Sequence, residues 1–375
     1  MERKKPIRAL IFSVSIGNGH DSVANAVEER LQVEAPGSEV KIVDTFRYIN
    51  SVLNKVVVGS YMETLKLTPK VWGYLYEQAG GKDKLVDTVL ILAKILSHKI
   101  VQLIKDVNPQ IIIMTHAFPA GMLGEMKLKG KIQIPMVAAV TDFHVHSIWI
   151  NQGIDMYFIQ TADLALPLIQ EGIKDKCIKP LGIPIRMQFG QNLDHTKLKD
   201  EMRLGGEPIV LVMGGGLGLG RIEVITRKIL SDEKFRVVVV AGKNNRLYDK
   251  LTKWNNPRLK VFGFVEDMAR IIAACDIVLS KPGGVTTAEV LALGKPLAIY
   301  SSLPGQEDEN SDYLLNKGVA VKIKKIDMLV PELLRLWQNP LRLRHMKEMA
   351  KYLGSPHASE LFWDNVWQLL EENKD

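Results

Sequence analysis

Short apolar runs alternate with longer segments of helical spacing along the whole chain, and no other feature constrains the fold as strongly. The first half carries "IRALIFSV", "EVKIVD", "QIIIMTH", "IPMVAAVT" and "DMYFIQT". The second carries "PIVLVMG", "FRVVVVAG", "LKVFGF", "DIVLS" and "PLAIY". Strand-like runs separated by helices predict an α/β protein, with parallel sheets covered by helices on both faces.

Two Gly-rich strand-to-helix turns, "SIGNGH" at 15–20 and "MGGGLGLG" at 213–220, each open a fresh series of strands. Between them "GIPIRMQFGQNLDHTKLKDEMRLGGEP" reads as a connector with one short helix. With 375 residues, 46% of them hydrophobic, the chain can bury two ordinary cores. The expected organisation is a first domain over 1–186, a connector over 187–207 and a second domain over 208–375. The last helix is a candidate to return to the first domain. Open α/β sheets bind ligands beyond the carboxyl ends of their strands, so two such domains facing each other would make a cleft.

A net charge of +7 favours anionic partners such as nucleotides, phosphates or acidic lipid surfaces, without the density of a nucleic-acid arm. Cys177 and Cys275 are the two cysteines and lack paired metal-ligand spacing, which argues against a disulfide scaffold or zinc module and for a reducing cytoplasm. The start "MERKKPIRALIFSV" leads into a Gly turn without a cleavage pattern and reads as a first strand. The longest apolar candidate, "LVDTVLILAKILSHKIVQLI", is interrupted by Asp87, Lys94, His98 and Lys99, so a membrane-spanning helix is not expected.

Residues 51–105 form an insert with eight lysines against four carboxylates, a net +4. Leu85, Val89, Leu92, Leu96, Ile100 and Leu103 follow spacings of three and four, which suits the buried face of a helix. The earlier part of the insert sets Tyr61, Trp72, Tyr74 and Tyr76 beside Lys55, Lys66 and Lys70. Basic and aromatic residues together suggest contact with a lipid interface or an acceptor, with core packing as the alternative.

The densest run of chemistry is "LSKPGGVTTAEVLALGKPLAIYSSLPGQEDENSDYLLNKGVA", residues 279–320. After a strand, Pro282, Gly283, Gly284 and Val285 lead into Thr286 and Thr287 at a helix start. Exposed N–H groups and hydroxyls at the positive helix end suit a diphosphate. Glu289 reads either as a capping-box partner of Thr286 or as an acceptor for two vicinal ribose hydroxyls. Gln306, Glu307 and Asn310 read as sugar-facing groups or as a solvated loop. In "FGFVEDMARIIAACD", Phe264 and Val265, with Met268 close behind, occupy a strand-to-helix turn able to hold a base edge. In the glycine turn, Gly214, Gly215, Gly216 and Gly218 allow close backbone approach to phosphate. A dinucleotide site is disfavoured because no acidic residue follows at the next strand end.

In "TDFHVH", Asp142, His144 and His146 would share one face of a continuing strand, a pattern that raises a metal site as a minor reading. No Asp-x-Asp metal motif stands on a strand end. His20 closes the first Gly turn beside Gly19 at a helix start, and an imidazole titrates near neutrality, as a general base requires.

In order along the chain, "GNGH", "TDFHVHSIWI", "LGIPIRMQF", "GGGLGLG", "GFVEDM", "KPGGVTTAEVLALGKP" and "PGQEDEN" resemble the family 28 glycosyltransferases. The similarity is greatest to the monogalactosyl- and processive diacylglycerol glucosyltransferases. The resemblance implies a GT-B fold, two Rossmann-like domains with parallel sheets facing a central cleft. It implies a UDP-sugar held by the second domain: uracil near Phe264 and Val265, ribose at Glu289, diphosphate at the glycine loops and Thr286, and sugar at Gln306, Glu307 and Asn310. It further implies inversion, with His20 as candidate base, Asp142 either orienting it or serving as the base itself, and His146 and Trp149 lining the acceptor side.

The expected enzyme moves glucose or galactose from UDP-glucose or UDP-galactose to diacylglycerol. It would be cytoplasmic and peripheral on an anionic membrane, with no cofactor besides the donor, no metal and no nucleic acid. A peptidoglycan-type N-acetylglucosaminyl transferase, a UDP-sugar 2-epimerase and a UDP-sugar sensor are the competing readings.

Overall fold

The computed structural model describes residues 4–15, 18–49, 98–302 and 305–373. They divide into two compact units. Met1–Met187 and His357–Asp375 belong to the first; Gln188–Ser302 and Glu307–Pro356 form the second; Gln306 falls with the first. Lys55, Tyr61, Lys66, Lys70, Trp72, Tyr74 and Tyr76 lie outside the described residues.

In the first unit, β1 (Arg8–Ser13), β2 (Glu39–Asp44), β3 (Ile111–Met114), β4 (Met136–Ala139), β5 (Met156–Phe158) and β6 (Ile178–Lys179) form one sheet in the order β2-β1-β3-β4-β5-β6. In the second, β7 (Ile209–Met213), β8 (Arg236–Val240), β9 (Leu259–Phe262), β10 (Ile277–Ser280), β11 (Leu297–Ile299) and β12 (Ala320–Lys322) form another, ordered β12-β11-β10-β7-β8-β9. Every neighbouring pair runs parallel. Each of the ten apolar runs contains a strand. The central ones, such as "IIIM" in β3 and "IVLVM" in β7, are buried at every position, as strands covered on both faces must be.

The order reverses between β1 and β3 in the first sheet and between β7 and β10 in the second. Loops leaving the carboxyl ends of strands diverge at such a point and leave a crevice for ligand. In the first unit those loops carry "SIGNGH" and "THAF". In the second they carry "GGGLGLG" and "KPGG".

The first unit's core closes against the Ala358–Glu372 helix. Trp363 donates its indole N–H to the Val27 carbonyl at 2.8 Å, and Trp367 donates to Glu34 Oε2 at 2.8 Å. Glu34 is also paired with Arg30 at 2.6 Å, and Arg30 reaches Glu360 at 3.1 Å, so these buried charges are compensated. Ile100 and Leu103, on helical residues 98–107, are buried as their spacing predicts. The second unit's core gathers Val212, Ile225, Val239, Leu279 and Leu333 beneath its sheet.

Candidate active site

At the reversal of the first sheet, the helix Gly19–Glu34 begins directly after the Gly turn, and His20 is its second residue. His20 Nδ1 lies 2.8 Å from the Thr115 carbonyl and 3.0 Å from Thr141 Oγ1. A carbonyl only accepts, so Nδ1 carries a hydrogen, and in the neutral ring the lone pair is then the one on Nε2. A neutral histidine held in that tautomer presents a base. The three residues involved follow β1, β3 and β4, whose parallel register brings their ends together. Behind the turn, Ser13 donates to Asp21 at 2.6 Å and Thr45 to the Ser13 carbonyl at 2.8 Å, fixing where the helix starts.

His116 stands against His20, with ring centroids 4.5 Å apart and planes at 75°. Its Nδ1 accepts the Phe118 N–H at 3.0 Å and so caps the Ala117–Leu128 helix. Burial, and secondarily the neighbouring His20, hold His116 well below the ordinary histidine range. It is therefore neutral near pH 7 and carries its proton on Nε2. Sequence reasoning passed over His116, Thr115 and Thr141, although all three fall at strand ends beside the reversal.

Asp142 is buried at 5% exposure and accepts a hydrogen bond from the Gln306 amide. β4 ends at Ala139, so Asp142 and His144 lie in bends and the alternating face expected for a metal site is not formed. Among the described residues, no group of three or more His, Cys, Asp and Glu side chains is placed to hold a metal ion. His146 accepts the Ile148 N–H at 3.2 Å, and burial, followed by His144, lowers its pKa. Trp149, expected to line the acceptor side, is 2% exposed. Its side chain is part of the core, and its carbonyl receives the Tyr157 hydroxyl at 3.0 Å.

In the second unit, β10 delivers "KPGG" to the Gly284–Ala292 helix, whose N-cap is Gly283. Gly283 has no side chain, so the first-turn N–H groups receive no side-chain cap from it. A Cβ on Gly283 would meet nothing within 4 Å, which is the space a close-approaching anion needs. Gly283, Thr286 and Glu289 are half-exposed at intervals of three, and so share one face. Pro282, Gly284, Val285 and Thr287 are buried.

Thr287, expected at the diphosphate, is thus turned into the core, where its hydroxyl has no hydrogen-bond partner among the described residues. The capping-box reading of Glu289 also fails, because the N-cap is three residues before Thr286. Asn310, expected to face the sugar, is completely buried and donates its amide to the Pro282 carbonyl at 3.0 Å. It braces the loop from behind. Glu307 remains half-exposed on the first turn of the Gln306–Asn316 helix.

The glycines after β7 divide by role. A Cβ on Gly214 would strike the Leu219 carbonyl at 2.0 Å, and one on Gly218 the Ala241 carbonyl at 2.1 Å, so both are needed for the loop to close on its surroundings. Gly215, at φ +69°, has open space, and Gly216 is half-exposed beside it. Tyr300, at the end of β11, donates to the Met213 carbonyl at 3.3 Å; burial, then Glu307, push its phenol up. After β9, Phe264 is 61% exposed, while Val265 and Met268 are half-exposed.

The paired sheets and their strand-end loops have the GT-B architecture. The *Acinetobacter baumannii* MurG structure matches 97% of this chain and all of that one at a TM-score of 0.62 and 14% identity. A *Neisseria meningitidis* UDP-GlcNAc 2-epimerase bound to UDP-GlcNAc matches 96% of this chain and all of its own at 0.56 and 12%. At such identities the likeness establishes the fold alone.

The sequence relationship is narrower. Residues 20–185 match the monogalactosyldiacylglycerol (MGDG) synthase family and 209–362 the glycosyltransferase family 28 C-terminal domain. A processive diacylglycerol beta-glucosyltransferase of *Bacillus pumilus* (strain SAFR-032) is 30% identical over 98% of this chain and 97% of its own length. The chain belongs to the diacylglycerol glycosyltransferase group of glycosyltransferase family 28.

Proposed function

We propose that this enzyme transfers glucose from UDP-glucose to the free hydroxyl of diacylglycerol, forming a β-glycoside, and then extends the glycolipid. The observation that carries this reading is the 30% identity, over 98% of this chain, with a processive diacylglycerol beta-glucosyltransferase. The His20 contacts in the first unit and the glycine-rich loops of the second support it.

In this reading His20 Nε2 takes the proton of the acceptor hydroxyl as its oxygen bonds to C1 of the sugar. The C1–O bond to UDP breaks, and UDP departs with the electron pair. A positioned base of this type contributes about 10²- to 10⁴-fold. The charge of the departing diphosphate meets the first-turn N–H groups after Gly283, the Thr286 hydroxyl and the open backbone around Gly215. Glu289, on the same face as Thr286, takes the ribose hydroxyls, and the exposed Phe264 ring takes the uracil. Asp142 and Gln306 form a hydrogen-bonded pair that orders the loop after β4.

Among the described residues, no helix is long and apolar enough to cross a membrane. Access to diacylglycerol then calls for peripheral binding at the inner face of the cell membrane, and the insert's net +4 supports it. Basic residues near an anionic surface contribute about 1 kcal/mol each.

The test supplies diacylglycerol vesicles with UDP-glucose or UDP-galactose and follows lipid products by mass spectrometry. Glucosyl- and diglucosyldiacylglycerol are expected. Galactolipid alone would replace the donor. A UDP-sugar epimer without any lipid product would select the epimerase reading. Vesicles with and without anionic lipid, sedimented at low and high salt, test the membrane contact, and salt-independent binding would refute its electrostatic basis.

A further inference from the structure

The loop between β8 and the Asn245–Thr252 helix, "AGKNN", has no place in the site derived so far, yet it is locked to the glycine loop after β7. The Lys243 N–H donates to the Gly216 carbonyl at 3.0 Å, and Asn244 Nδ2 donates to the Gly218 carbonyl at 3.1 Å. Asn244 also caps its own helix by accepting the Leu247 N–H at 3.0 Å. A Cβ on Gly242 would approach the Gly216 carbonyl to 2.4 Å, just as one on Gly218 would collide with Ala241. Neither loop can shift without the other.

The strand order β10-β7-β8-β9 places this loop between the glycine loop and the loop carrying Phe264. Lys243 bridges that interval: its backbone is tied to the former, and its ammonium lies 5.9 Å from the centre of the Phe264 ring. Four lysines of the unit face carboxylates: Lys199 meets Asp276, Lys228 meets Asp327, Lys250 meets Glu223 and Lys322 meets Asp308. Lys260 and Lys317 lie over the rings of Phe262 and Tyr313 within their own segments, whereas Lys243 reaches a ring on a different strand-end loop. Lys243 is exposed and has an aromatic face instead of a carboxylate among the described residues. A cation over an exposed ring keeps most of its charge available.

We propose that Lys243 is a donor-binding residue, whose ammonium meets the negative charge of the nucleoside diphosphate while the adjoining Phe264 ring supports the base. The assignment rests on the reading that the second unit binds the UDP-sugar. It adds a side-chain cation to a site otherwise built from main-chain N–H groups and hydroxyls. Ion-assisted contacts to phosphate are stronger than neutral ones and depend on the ligand's charge, whereas stacking on an aromatic ring does not.

The experiment is titration calorimetry of UDP and uridine against the wild type, Lys243→Met, Lys243→Arg and Phe264→Ala, with melting temperatures recorded for each. Lys243→Met should weaken UDP about tenfold, the loss of one charge-assisted contact, and leave uridine within about twofold. Lys243→Arg should retain most of the UDP affinity. Phe264→Ala should weaken both ligands. Unchanged UDP affinity in Lys243→Met would overturn the assignment, as would equal weakening of UDP and uridine at an unaltered melting temperature. Wild-type protein that binds no UDP would overturn both the assignment and the reading beneath it.

Discussion

At the reversal of strand order in the first unit, the chain presents side chains: two imidazoles 4.5 Å apart and a threonine hydroxyl, tied to a main-chain carbonyl. At the corresponding place in the second unit it presents main chain, an uncapped helix start and glycines with open space around them. The topology allows either. The difference follows from what each loop can do to a bound group. A fixed tautomer moves a proton. N–H groups aimed at one point neutralise charge without changing their own protonation.

His20→Ala makes the greatest demand on this contrast. Lipid glycosylation should fall by about 10²- to 10⁴-fold while UDP affinity stays within about twofold, as measured by product formation and calorimetry. Equal loss of both would mean that the first reversal binds donor rather than reacting with acceptor.

Two glycines of the second unit separate structural from ligand-facing positions. Gly218→Ala introduces a Cβ at φ +59° against the Ala241 carbonyl, and should cost about 3 kcal/mol of unfolding free energy in denaturant titrations. Gly283→Val has room at Cβ and should cost no more than about 1 kcal/mol of stability. It should nevertheless reduce UDP affinity by at least about tenfold, because its branched side chain fills the approach to the helix start. Preserved UDP binding in Gly283→Val would move the diphosphate elsewhere.

The smallest effect belongs to His116. Its folded pKa lies below the ordinary value of about 6.5, so the unfolded chain binds a proton that the native chain refuses. Its contribution is therefore fully present above about pH 6.5 and is lost as pH falls from there through the lowered folded pKa, with a slope of at most about 1.4 kcal/mol per pH unit. His116→Asn keeps an acceptor for the Phe118 N–H and should flatten that slope in thermal melts between pH 5 and 7. An unchanged slope would show that another group titrates.

The alternation of apolar runs was enough to locate ten strands, because each buries a continuous stretch wide enough to leave a signal. β6 and β12 left none, being two and three residues long and finished by a lysine. The strand-end loops of the candidate site were legible in the sequence, since glycines and a proline betray a loop before its contacts are known. Side-chain direction was harder to read. Thr286 and Thr287 look equivalent as neighbours, yet the helical turn sends one outward and the other into the core. Asn310 has the chemistry of a ligand contact but spends its amide on Pro282. His116 gave no local signal at all. Its importance depends on β1 and β3 being adjacent, a pairing across about 100 residues of chain that spacing cannot reveal.

The Trp363 indole and the Val27 carbonyl that it meets are 336 positions apart. During synthesis the helix bearing His20 therefore emerges long before its covering partner, and must wait with Val27 and Leu31 unshielded while the whole second unit is being made. Vectorial folding of this enzyme is thus interrupted: the unit begun first is completed last, and the packing of the helix that carries His20 is timed by the arrival of Trp363 and its neighbours.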